Sequence, residues 1–182
     1  MYEPLMISFF VPGIPRPGGS KRGLPIYRHK DYINKDEKEF TGHVAVIDAN
    51  KKVRPWMADV KHFAYQKYDG PPLTGPINLT LIFVMPRPKG HHGTGKNAGK
   101  LKDSAPYYHT VAPDRTKLTR AVEDALTGVI WKDDAQVCKG NAEKIYGNKT
   151  GVHVIIKTIN PKGIYLRENG EDYFCPETLF QT

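Results

Sequence analysis

The carboxylates Asp114, Glu123, Asp124, Asp133 and Asp134 all fall within one stretch, Pro113–Val137, PDRTKLTRAVEDALTGVIWKDDAQV. Clustered carboxylates repel one another unless a cation lies between them. Oxygen donors without a cysteine or histidine partner suit Mg²⁺ or Mn²⁺. A metal held in this way can drive hydrolysis of a phosphate ester. The structural reading of the same residues is simpler. Asp114 serves as a helix cap, Asp124 pairs with Arg120 four residues before it, and Asp133-Asp134 form a turn.

Periodicity decides the element that would position them. Leu118, Val122, Ala125, Leu126 and Val129 share one helix face, and Lys117, Arg120, Glu123, Asp124 and Thr127 lie on the other. Asp114 stands at the N-cap after Pro113, and Gly128 is the expected stop. Val129-Ile130-Trp131 reads as a short buried piece, which would bring Asp133 or Asp134 back toward the helix carboxylates.

The stretch resembles the signature of the RusA-type Holliday junction resolvases, roughly P-D-x-D-[NK]-L-x-[KR]-x-x-x-D-A-L-x-G followed by D-D-x-Q-V. The matching residues are Pro113-Asp114, Lys117-Leu118, Arg120, Asp124-Ala125-Leu126-Thr127-Gly128 and Trp131-Lys132-Asp133-Asp134-Ala135-Gln136-Val137. A weaker likeness extends to Val11–Pro15 and to the basic loop before Pro113. The resemblance implies a small homodimeric endodeoxyribonuclease that cuts branched DNA with Mg²⁺, Mn²⁺ being the substitute ion. It implies Asp114, Asp134 and Arg120 as catalytic residues, with Asp114, Asp134 and Asp133 as metal ligands. One position departs: Thr116 stands where the family has its second aspartate, a metal ligand. Glu123 lies about two turns further along the same face and can partly replace it. The alternative is a non-catalytic branched-DNA-binding protein on the same fold.

Composition points the same way. The chain has 182 residues and a formal charge of +8, with a pI near 9.4. This length suits one domain over residues 1–182, and this charge favours an acidic partner, of which nucleic acid is the commonest. The two cysteines, Cys138 and Cys175, have neither metal spacing nor a disulfide framework, which suits a reducing cytoplasm, and the resemblance implies that of a bacterium or phage-infected cell. No apolar run is long enough to span a bilayer, so no membrane partner is expected.

Two acid-free basic stretches would carry the DNA. The Gly- and Pro-rich residues 13–30 read as a loop with Arg16, Lys21 and Arg22. The loop 86–110 carries Arg87, Lys89, Lys96 and Lys100, and Lys117 follows on the helix. Within the second loop, Gly90–Lys96 has the G-x-x-x-x-G-K spacing of a phosphate-binding loop. Asn97 replaces the required hydroxyl and Ala98-Gly99 starts a helix poorly, so nucleotide binding is disfavoured. His91 and His92 read as solvated.

The remaining elements follow from pattern. Met6–Val11 and Ile77–Met85 are strands, Pro55–Tyr68 is a helix, and His43–Ile47 is a short strand. Asp31–Glu39 reads as loop. Ala142–Tyr146 and Val152–Ile159 flank a turn and read as a hairpin, and residues 160–182 form a tail in which Tyr165, Tyr173 and Phe174 can pack back or against a partner. The expected fold is α+β, a mixed sheet with two main helices.

Overall fold

The structure, a computed structural model, describes residues 3–19, 21–29, 38–48, 50–161, 165–166 and 172–173. The element order is β1 (Met6–Pro12), β2 (Lys21–His29), β3 (Lys38–Asp48), α1 (Val53–Lys67), β4 (Ile77–Pro86), α2 (Arg115–Leu126), β5 (Val137–Gly147), β6 (Gly151–Thr158), and the two-residue strands β7 (Tyr165–Leu166) and β8 (Asp172–Tyr173). This is the expected α+β fold. No helix among the described residues is long and apolar enough to cross a membrane.

β4 is the strand around which the main sheet is built. Ile77, Leu79, Leu81, Phe83 and Met85 alternate on one face and are buried, and Val84 is buried on the other. Such a strand belongs in the middle of a sheet. The order is β1-β6-β4-β5, with β4 parallel to β5 and antiparallel to β6. Parallel neighbours need a crossover, which α2 supplies.

The hairpin expected from β5 and β6 does not form. Both strands pair with β4, one on each side, and not with each other. The step from Gly147 to Gly151 has only to span two strand spacings, about 9–10 Å, which four residues can reach. The exposed, polar start of β5 (Lys139, Gly140, Asn141) suits an edge, while β4 buries Ile77, Leu79, Leu81, Phe83, Val84 and Met85 and keeps even Asn78 and Thr80 half-buried. The alternation read in β6 holds: Val152, Val154 and Ile156 are all buried.

Both helices cover one face of this sheet. α1 buries Val53, Trp56, Val60 and Ala64, which makes Trp56 a core residue. α2 buries Leu118, Ala121, Val122, Ala125 and Leu126. Gly128 ends it with φ +76°, a conformation that favours glycine. Val129, Ile130 and Trp131 are buried as expected, and the Trp131 indole N–H donates to the Thr127 hydroxyl at 3.2 Å.

Residues 13–30 are not one loop. From Lys21 the chain forms β2, paired antiparallel with β3 in a two-stranded ribbon. The register breaks between Pro25 and Tyr27, where proline has no N–H for the ladder. Tyr27 and Phe40 face each other across the ribbon at 5.9 Å, and Arg28 pairs with Glu39 at 3.2 Å. The loop expected at Asp31–Glu39 lies outside the described residues up to position 37; Lys38 and Glu39 already belong to β3. Most of the tail, including Phe174, also lies outside them.

Candidate active site

α2 and the edge strand β5 enclose a groove of about 410 Å³. The helix contributes Arg115, Thr116, Thr119 and Glu123. The strand contributes residues 137–142, and Leu79 and Leu81 of β4 also line it. Thr116, Thr119 and Glu123 follow one another at spacings of three and four, one stripe along the helix.

Asp114 occupies the N-cap position with φ −65° and ψ 140°, yet its side chain makes no capping hydrogen bond. Its Oδ2 lies 3.2 Å from Lys117 Nζ instead. The sequence had two candidate uses for Asp114, cap or ligand, and the side chain is not spent on the cap.

Asp133 and Asp134 divide their tasks. Asp133 caps a short 3-10 turn, Asp134–Gln136, and accepts from the Ala135 N–H at 2.9 Å. Gln136 completes this capping box. Its Oε1 accepts from the N–H groups of Lys132 and Asp133, at 3.0 and 2.9 Å, and its Nε2 donates to the carbonyls of Leu73 and Gly75. Asp133 therefore has one oxygen committed to structure. Asp134, exposed at the start of the turn, lies near enough to act on Glu123.

Glu123 is the perturbed carboxyl of the site. Burial raises its pKa above the ordinary carboxylate value, the charges of Asp134 and Asp124 raise it further, and Arg120 partly opposes them. A hard cation would relieve this crowding, and Mg²⁺ needs only one or two carboxylates beside water and phosphate oxygens. The donor set fits such an ion. The expected convergence of three carboxylates does not occur within the chain, however. Asp114 precedes Glu123 by nine residues, about 13 Å of helix rise. Among the described residues no group of three or more Asp, Glu, His or Cys is placed to hold a metal by itself.

The raised pKa has a consequence for stability. The folded state binds the Glu123 proton more tightly than the unfolded chain does, so stability falls as pH rises from the normal carboxylate range through the raised value. Above that value the penalty is constant. Glu123→Gln is therefore expected to raise Tm by about 1–3 °C at neutral pH in EDTA, and to have little effect near pH 4. Thermal scans at both pH values check this, and a lower Tm at neutral pH would mean that Arg120 more than balances the charge.

Arg120 is held from the side by the N-terminal segment. A Cβ on Gly19, which has φ +80°, would lie 2.9 Å from Arg120 Cδ, and one on Gly18 would lie 3.2 Å from Ala121 Cβ. The Gly18 N–H also donates to the Lys117 carbonyl at 2.9 Å. Adjacent glycines are what allow this backbone to lie on α2, and half-buried Arg16 lies two residues before them. The pair Gly18-Gly19 was the available signal for this contact.

The other predicted DNA contacts sort into two groups. Lys89, Lys96 and Lys100 are exposed on the 86–110 loop, and Lys21 and Arg22 are exposed on β2. Arg87 is a brace: its guanidinium donates to the carbonyls of Pro106 (3.0 Å) and Tyr146 (3.3 Å) and lies over the Tyr146 ring. Lys117 is paired with Asp114. Gly95–Asn97 forms one 3-10 turn and no helix follows, so the phosphate-loop spacing stays without its helix. His91 and buried His109 pack on Tyr146 at 4.7 and 4.8 Å. Burial, and then Lys144, push the His109 pKa down.

The family model for endodeoxyribonuclease RusA matches residues 25–157. The chain belongs to the RusA family. The match contains α2, the groove and the 86–110 loop. A curated relative, the uncharacterized protein YqaN of Bacillus subtilis (strain 168), is 30% identical over 88 residues, which cover 48% of this chain and 61% of that protein. Against the family's pattern, Thr116 faces the groove at the position of the missing aspartate.

Sequence reasoning missed Arg115 and Lys144. The Arg115 guanidinium donates to the Ala142 carbonyl at 3.1 Å, tying the start of α2 to β5. No local pattern marks a tie across this distance in sequence.

Proposed function

We propose that this chain is a divalent-metal-dependent endodeoxyribonuclease that cuts branched DNA, Holliday junctions above all, by phosphodiester hydrolysis. The observation that carries the reading is the groove along the family's own segment, lined by Thr116, Thr119 and the crowded carboxyl of Glu123, on which the charge of Asp134 acts.

Glu123 and Asp134 are the carboxylates that would hold Mg²⁺ or Mn²⁺, with water and phosphate oxygens completing its shell, and Asp114 would be available to a second ion. When bound, the ion supplies a water of lowered pKa and neutralises charge on the phosphate. Arg120, fixed by Gly19, meets the scissile phosphate as a planar donor. Thr116 and Thr119 offer neutral hydroxyls where the family pattern has one more charge. Lys89, Lys96, Lys100, Lys21, Arg22 and Arg16 follow the DNA backbone. As a homodimer, two such grooves related by a two-fold axis cut two strands of a junction symmetrically. Such an enzyme works in the cytoplasm.

The test is cleavage of a labelled four-way junction, against matched duplex, in Mg²⁺, Mn²⁺ and EDTA. Paired, metal-dependent cuts in the junction alone are expected, with binding that weakens steeply as salt rises. Thr116 motivates a second reading, a non-catalytic junction-binding protein. Tight binding that is equal in EDTA and Mg²⁺, with no cuts in any metal, would select it.

A further inference from the structure

We propose that Lys144 is a positioning residue that sets where the Asp114 carboxylate stands at the mouth of α2. The proposal rests on the nuclease reading and adds a residue to it.

Lys144 lies on β5, opposite Phe83 of β4, and grips the approach to the helix with both side chain and backbone. Its Nζ donates to the carbonyl of Val111 at 2.8 Å and to that of Pro113 at 2.6 Å. Its own carbonyl accepts from the His109 N–H at 3.0 Å. Residues 109–113 are thus fastened to the sheet directly before Asp114. Arg115, immediately after Asp114, is tied to Ala142 of the same strand. Asp114 is held between two ties to one rigid element.

The ammonium is not only a donor. Burial lowers its pKa, and the charge of Asp114 raises it, so the two groups attract through space. An ammonium has three N–H groups, and two are spent on carbonyls. The charge supplies a second attraction on Asp114 besides Lys117. The Asp114 carboxylate that does not cap is engaged by Lys117 at 3.2 Å, and the Lys144 charge attracts it from the strand. A fastening alone would need a donor there and no charge.

That difference gives the test. Lys144→Met, Lys144→Gln and Lys144→Arg are compared with wild type in single-turnover junction cleavage, in junction binding and in amide hydrogen exchange over residues 109–117. Met is expected to slow cleavage about 100-fold, the scale of a misplaced reacting group, with binding within about twofold. Arg, which keeps charge and donors, restores most of the rate; Gln, a donor without charge, does not. Exchange over 109–117 accelerates in Met and stays near wild type in Arg. Full activity in Gln would make Lys144 a mere fastening and overturn the proposal. Unchanged exchange in Met would overturn it even if the wild-type protein cut nothing, a result that by itself would sink only the nuclease reading. With an uncut junction, faster exchange in Met and Gln but not Arg would still support positioning through charge.

Discussion

Asp134→Asn is expected to reduce junction cleavage by about 10²–10³-fold while junction binding survives or tightens. Asn keeps the size of the side chain and removes the charge that faces Glu123. The change therefore strikes at what holds the ion, and it also removes a negative charge from the path of a phosphate. Asp133 provides the contrast. Its Oδ1 accepts from Ala135 within a complete capping box, so Asp133→Ala should cost about 1 kcal/mol of stability, as lost caps do. Single-turnover cleavage, gel shifts in EDTA and thermal melts of both variants separate the two roles. Loss of junction binding by Asp134→Asn, with the fold intact, would move Asp134 from the chemistry to the DNA surface.

The difference between these neighbouring aspartates was not legible from their spacing. It is set by Gln136, which reaches Leu73 and Gly75 more than sixty residues earlier in the chain. The helix itself was legible because its apolar positions recur on one face and its ends carry their own signals, Asp114 and Gly128. β4 was legible for the same local reason. The pairing of β5 with β6 was misread because a short turn between two strands suggests a hairpin unless a third strand competes, and β4 competes by taking one of them on each side. β2 was hidden by its glycine, its proline and its charges: every residue of it is exposed, so no buried face writes an alternation into the sequence. Lys144 was hidden because a lysine that donates to carbonyls thirty-one and thirty-three residues away looks like any other lysine on a strand.

Thr116→Asp is expected to increase cleavage, or to lower the Mg²⁺ concentration needed for half-maximal cleavage, by about tenfold, one added charge on the ion being worth roughly 1.4 kcal/mol. The fold tolerates the change. Position 116 is exposed in the first turn of α2, where a carboxylate interacts favourably with the helix N-terminus by about 0.3–1 kcal/mol. The new carboxylate would enter the groove that Thr116 already lines with Thr119 and Glu123. It would stand about 10 Å of helix rise from Glu123, so the two cannot be interchangeable points in space. The double variant Thr116→Asp/Glu123→Gln tests their relation. If Glu123 has taken over the family aspartate's task, the double variant recovers much of what Glu123→Gln loses. If the two act on separate ions, the single effects add. A Thr116→Asp variant no better than wild type, or worse, with its Tm unchanged, would mean that the groove has been rebuilt around a ligand other than the family's second aspartate.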